Sequence, residues 1–300
     1  MEIKSVQIYP ARERVELNDK ITKCVFNLSE GTYEQLTTGG KALGVVEIKN
    51  HPKLGTVKSY VRVLNSNGDV SNEPLNQFDR AVFNVLLSEK LAGNERTTLG
   101  VIFRGLTGKI GRDKVKMHTN QRSAILRSVT RLMSTVIEID MTDTCEKLKY
   151  NDGRALTMRG VIFPCKFISA NLGGKLIETV FFLDNSPLYD AATAKNQFLR
   201  YDASLLDVPN QFNTPTLIAV KNYIISRLVE IARHRLTPTL TFADIFDKCG
   251  LATSSPKSKC ALRQDILAFL QYLRQRQFLA AFDLVKTGKI LNRVTFQIAG

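Results

Sequence analysis

Apolar positions along this chain recur in two rhythms, and their alternation organises it. Phe78, Val82, Val85 and Leu86 return at the spacing of a helical stripe as far as about Leu91, and Gly93 and Asn94 stop the run. The same spacing links Ile125, Leu126, Val129, Leu132 and Met133. It links Leu217, Ile218, Val220, Ile224, Ile225, Leu228 and Ile231, and again Leu262, Ile266, Phe269, Leu270 and Leu273. Polar residues mark helix starts at Thr97 or Thr98, at Thr119, at Asn213 before Thr214 and Pro215, and at Thr241. The second rhythm is that of strands. Ile21–Leu28, Leu43–Ile48 and Ser59–Leu64 are β-branched runs, punctuated at Gly39–Gly40 and Asn65–Gly68. Residues 135–183 alternate as strands with turn residues at Asn151–Gly153 and Asn171–Gly174. Leu279–Lys286 and Ile290–Ile298 read as a terminal hairpin, and residues 185–212 as a join.

One order of elements occurs twice. A short helix from Thr98 to about Gly108 leads to a basic helix from Thr119 to Met133 and strand-like Thr135–Asp140. A short helix from Thr241 to Gly250 leads to a basic helix from Ser258 to Gln277 and strand-like Leu279–Val285. A short helix, a longer basic helix and a β segment with a Gly turn form the winged-helix variant of helix-turn-helix. The expected fold is α+β: two tandem winged-helix domains with a β-rich N-terminal extension. Residues 1–72 are the extension or arm, 73–200 the first domain and 201–300 the second. The strands of the first domain are longer than a minimal wing needs, which predicts an enlarged sheet.

Composition narrows the partners. The 300 residues carry a formal charge of +14, which favours polyanions and says nothing of specificity. The excess is clustered: Arg104–Met133 holds eight basic residues against Asp113, and Thr214–Gly300 holds thirteen against five acidic. No apolar run reaches the roughly 18–20 residues of a membrane span, and the start resembles no signal peptide, so the expected location is the cytoplasm. The five cysteines (Cys24, Cys145, Cys165, Cys249, Cys260) form no CxxC pair and are expected to be reduced thiols.

A helix in the major groove of double-stranded DNA needs an apolar inner face and an outer face rich in Arg, Lys, Asn or Gln, because base edges there present distinct donors and acceptors. On the first basic helix the candidate base contacts are Asn120, Gln121, Arg127 and Arg131. On the second they are Lys257, Lys259, Arg263 and Gln264, near the helix start. Arg is favoured for guanine because its planar fork donates to two acceptors at once. Lys286 and Lys289 flank a hairpin tip where cations reach phosphates without reading sequence, and Arg154 beside Asn151–Gly153 is placed to do likewise.

Enzyme chemistry finds little support. His51, His118 and His234 lie far apart with no ligand at metal spacing, and no P-loop occurs. Gly39–Lys41 and Gly108–Lys109 read as turns, and Asp140, Asp143 and Glu146 as an exposed strand end. The expectation is a non-enzyme without metal or cofactor.

Residues Tyr223–Ile231 include Arg227, Leu228, Glu230 and Ile231. This run resembles the Arg-Leu, one residue, Glu, aliphatic sequence on the first helix of the second domain in the replication initiators of iteron-type plasmids. With the layout of about residues 75–300, the chain resembles that family. The resemblance implies monomers that bind repeated sites in a plasmid or phage origin, with Lys259–Arg274 as the main reading helix and Thr119–Met133 as its counterpart. It implies opening of an adjacent AT-rich region and recruitment of the host initiator and replicative helicase. It implies dimers, formed through the first domain, that repress the initiator's own promoter or limit copy number. The β-rich start and enlarged strands depart from the family. A winged-helix transcriptional repressor without a replication role is the alternative.

Overall fold

The computed structural model describes residues 10–26, 32–38, 41–51, 55–61, 63–64, 70–71, 75–112, 115–140, 157–172, 175–194, 196–209, 211–288 and 290–299, with residues 32–71 described by backbone alone. The chain opens with β1 (Glu13–Leu17) and α1 (Lys20–Val25). The Ile21–Leu28 run was expected as a strand. As far as Val25 a helix forms instead, where the Asp19 carboxylate accepts from the Thr22 amide and hydroxyl, at 2.8 and 2.5 Å, and so caps a helical turn; residues 27 and 28 lie outside the described residues. Next come β2 (Thr32–Thr38), β3 (Lys41–His51), β4 (Gly55–Val61) and the short pair β5 (Val63–Leu64) and β6 (Val70–Ser71).

Helix α2 (Gln77–Leu91) starts at a capping box. The Asn76 side chain accepts from the Phe78 and Asp79 amides, and the Asp79 carboxylate accepts from the Asn76 amide. Then come β7 (Arg96–Thr98), α3 (Leu99–Thr107), capped by Thr98 and closed by Gly108 at φ +72°, and α4 (Thr119–Ser134). Strands β8 (Val136–Asp140), β9 (Thr157–Val161), β10 (Cys165–Leu172) and β11 (Lys175–Phe182) succeed them. The expected join of residues 185–212 contains α5 (Pro187–Ala194), β12 (Phe198–Asp202) and a 3-10 turn (Ala203–Leu206). The C-terminal part is α6 (Pro215–His234), β13 (Thr239–Thr241), α7 (Phe242–Lys248), α8 (Pro256–Gln275), β14 (Leu279–Thr287) and β15 (Ile290–Ile298).

The duplicated order has a matching topology. The second unit runs long helix, short strand, short helix, long helix, hairpin, with strand order β13-β15-β14. In the first unit, α2, β7, α3 and α4 lead eventually to the β10–β11 hairpin, with strand order β7-β11-β10. In each case the short strand before the helix pair adds to the last strand of the hairpin. The units diverge directly after the basic helix. Thr135–Asp140 was expected to begin the wing of the first unit. Its strand β8 instead pairs with β4 and β9 in a five-stranded sheet of order β2-β3-β4-β8-β9. The enlarged sheet is thus a separate one, built with strands from residues 32–61.

Residues 13–26 are no free arm. Strand β1 pairs antiparallel with β12, and Val15, Leu17, Val25 and Phe26 are buried in the first core with α2, α3 and α4. The second core gathers α6, α7, α8 and the terminal hairpin around Phe269, Leu270 and Leu273. Helix α6 serves both: Ile218 and Ala219 belong to the first core, Val220, Ile224, Ile225, Leu228 and Ile231 to the second.

Polar groups also cross the seam. Arg80 Nη2 lies 2.7 Å from Glu16 Oε1, and Glu16 Oε2 accepts from the Ser226 hydroxyl of α6. Asn222 Nδ2 donates to the Leu106 carbonyl at 3.4 Å. At Gly108, an added Cβ would stand 2.5 Å from the Asp207 amide nitrogen and 2.6 Å from the Ala203 carbonyl oxygen. Both are backbone atoms, and the φ of +72° is left-handed, so Gly is required twice over. Replacing Gly108 by Ala is expected to cost about 3 kcal/mol or more of unfolding free energy. Gly100→Ala, in an open helical position, is expected to add about 0.5–1 kcal/mol. Denaturant unfolding of the two variants measures the contrast.

Candidate nucleic-acid interface

Helix α8 begins at Ser255, whose hydroxyl accepts from the Ser258 amide at 3.2 Å, with Pro256 in the first turn. Its buried stripe is Ile266, Phe269, Leu270 and Leu273. The opposite face exposes Lys257, Gln264 and Gln271, and Arg274 is exposed on its flank. Lys259 and Arg263 were expected on that face but lean sideways onto α7. The Lys259 ammonium is 5.9 Å from the Phe246 ring and donates to the Ala252 carbonyl. The Arg263 guanidinium lies 5.1 Å from Phe246 and 5.7 Å from Phe242, and its Nε is buried. Each contact contributes about 0.5–2 kcal/mol to holding α8 on α7.

Helix α4 shows the same division. Asn120 and Arg127 are exposed. Gln121, expected to read bases, is 4% exposed: its oxygen accepts from the His118 amide at 2.8 Å, and its Nε2 donates to the Asn213 carbonyl at 2.5 Å. Arg131, also expected outward, turns in to Asp79, with Nη2 2.7 Å from Oδ1; the side chains are 12% and 0% exposed. Burial pushes the Asp79 carboxyl above the usual carboxylate range, opposed by Arg131, by the Ser128 hydroxyl and by the Asn76 amide. Arg122 binds Glu178 of β11 through two contacts of 2.5 and 2.8 Å, a fork that fixes α4 to the β10–β11 hairpin.

On the terminal hairpin Lys286 is exposed. Lys289 and Arg154 lie outside the described residues, as do Asp143, Glu146 and the Asn151–Gly153 turn. Arg293, which sequence reasoning missed, is exposed on β15 opposite Thr241 and Val285. Its signal was legible: Val294 and Phe296 are buried, so by strand alternation position 293 faces outward. Arg274 was missed because it lies near the end of α8, whereas a reading helix is expected to enter the groove by its start.

The segment between the units touches both basic helices. Gln211 Nε2 donates to the Asp265 carbonyl of α8 at 3.1 Å, and Asn213 takes the Gln121 bond from α4. Lys221 of α6 is 1% exposed and donates to Asn213 Oδ1 at 2.7 Å and to the Leu206 carbonyl at 3.3 Å. Burial first, then the Lys109 ammonium, pull the Lys221 ammonium down to about 8, against Asp207 and Asp265. No described helix is long and apolar enough to cross a membrane. Among the described residues, no three His, Cys, Asp or Glu side chains stand together as a metal site.

No protein-family profile matches the chain, and no curated protein matches it. Among solved structures, selenomethionine-labelled domains 2 and 3 of RctB are similar at a TM-score of 0.45 and 12% identity, over 94% of this chain and 99% of that one. A second structure of RctB domains 2–3 gives 0.44 and 9%, over 89% and 91%. Likeness at that level assigns no family and no activity.

The buried charges set two expectations. Arg131→Ala strands Asp79 without its cation and is expected to cost about 3 kcal/mol of stability. The double variant with Asp79→Asn recovers more than half, as a double-mutant cycle of denaturant unfolding would read. Lys221 binds its proton more weakly folded than unfolded. Between pH about 8 and 10.5 the unfolded chain holds more protons, so this group makes stability rise with pH. Unfolding at pH 7.5 and 10 is expected to show Lys221→Met removing about 2 kcal/mol of that pH-dependent gain.

Proposed function

We propose that this protein binds double-stranded DNA sequence-specifically through two winged-helix units, and that it initiates replication at repeated origin sites without catalysis of its own. The observation that carries the reading is the repeated layout: in both units a helix pair is flanked by a hairpin on which the preceding short strand pairs. That is the arrangement in which the second helix of the pair enters the major groove. In each unit that helix leaves a polar face open, Asn120 and Arg127 on α4, Lys257, Gln264, Gln271 and Arg274 on α8. Lys286 and Arg293 add exposed cations on the terminal hairpin, suited to the phosphate backbone. The net charge of +14 supports a polyanionic partner.

The origin role rests on the resemblance to iteron-type plasmid initiators. It brings with it opening of AT-rich DNA, recruitment of the host initiator and replicative helicase, and a dimer that represses the protein's own promoter. Selecting a random duplex library on the purified protein, then footprinting it on the DNA flanking its gene, tests both levels. Direct repeats protected on one face support the initiator. A single protected palindrome supports the repressor, and no enriched duplex overturns the DNA-binding reading. Nicking of supercoiled DNA in Mg²⁺, lost on mutating one acidic residue or Tyr, overturns the non-enzyme part.

On the selected duplex, Arg127→Ala and Gln264→Ala are each expected to cost about 1–3 kcal/mol at one base position. Lys286→Ala is expected to weaken all sequences alike and to lower the salt slope by about one. Gel-shift titrations at several salt concentrations separate the two behaviours.

A further inference from the structure

Phe212 stands out in the segment between the units. It is 61% exposed, and the residues directly beside it, Gln211 and Asn213, are held. Gln211 is tied to the Asp265 carbonyl of α8 at 3.1 Å. The Asn213 carbonyl accepts from Gln121 of α4 at 2.5 Å, and its side chain accepts from Lys221 of α6 at 2.7 Å. The Thr214 amide donates to the Phe212 carbonyl at 3.0 Å. One flank of the ring is supported by the His118 ring at the start of α4, centroids 5.3 Å apart and planes at 48°. An exposed aromatic on a pinned backbone is preorganised: its ordering cost has already been met in folding.

We propose that Phe212 is a wedge that enters the minor groove of a bound duplex and unstacks one base step between the two major-groove contacts. This inference rests on the duplex-binding reading above. A duplex lying along the exposed faces of both α4 and α8 would pass this ring, which stands against the exposed His118 at the start of α4 and beside Gln211, tied to α8. On one face of B-DNA, two successive major grooves are separated by a minor groove. An apolar side chain driven between base pairs there opens the stack and kinks the helix toward the major groove. The energy comes from the contacts of the two flanking units, and the step opens most easily where stacking is weakest, at pyrimidine–purine steps. The wedge gives the protein a physical means of loosening DNA without ATP or a catalytic group.

The test uses the duplex enriched by the wild-type protein, with 2-aminopurine placed in turn at each position between the two footprints. Wild type is expected to raise the fluorescence at one step and to bend the fragment in a circular-permutation gel. Phe212→Ala is expected to bind within about threefold of wild type while losing both signals, and Phe212→Leu to retain them in part. Unchanged melting temperatures of the free variants show that the fold is intact. If wild type protects two segments but no position brightens, or if Phe212→Ala brightens as wild type does, the wedge is wrong and duplex binding stands. If no duplex is enriched, duplex binding fails and the wedge with it.

Discussion

A buried carboxylate joins the two halves of this molecule. Glu16 on β1 is 1% exposed, with Arg80 of α2 on one oxygen and the Ser226 hydroxyl of α6 on the other. Arg80 also donates to the Leu17 carbonyl, so its charge is shared between strand and acid. A buried ion pair adds little net stability, but removing one member costs several kcal/mol because the other is stranded. Such a group therefore specifies geometry. It ties α6 to β1 and α2, and Ile218 and Ala219, about two turns earlier on α6, join the first core. Lys23 and Arg227, both on Glu230 at 2.6 Å, add a second ion-pair cluster one turn further along α6.

That rigidity bears on function. Under the proposed reading, two helices that address one duplex need a fixed spacing and phase, or the second contact must be ordered anew at each encounter. Here the segment between the units is itself pinned at residues 211, 213 and 214, and Gly108 packs backbone to backbone against the 3-10 turn. The Arg227, Leu228, Glu230 and Ile231 run, which carries the family resemblance, lies on this joint. Leu228 and Ile231 face the second core, while Glu230 pairs with Arg227 on the same helix and with Lys23 of α1 across the seam. Its chemistry is that of a weld between units.

Basic residues in this chain have two uses that a charge count merges. Of the cluster from Arg104 to Met133, Arg112 pairs with Asp207, Arg122 with Glu178 and Arg131 with Asp79. On α8, Lys259 and Arg263 lie over the phenyl rings of α7. On α4, α8 and the terminal hairpin, the described cations that face solvent include Arg127, Lys257, Arg274, Lys286 and Arg293.

Local signals alone determined much of this protein. Thr98, Thr214 and Thr241 cap their helices because a side-chain oxygen beside a free amide is a short-range interaction. Apolar periodicity placed α2, α4, α6 and α8, and strand alternation with turn residues placed the two hairpins. Tertiary structure alone decided which strand completes which sheet, since β8 and β10 carry equally good strand patterns and differ only in their partners. It decided that residues 13–26 join the first core. It also decided which polar side chains turn inward, because Gln121 and Arg131 share a helix with Asn120 and Arg127. What separates them is Asn213 and Asp79, which chain folding alone brings within reach.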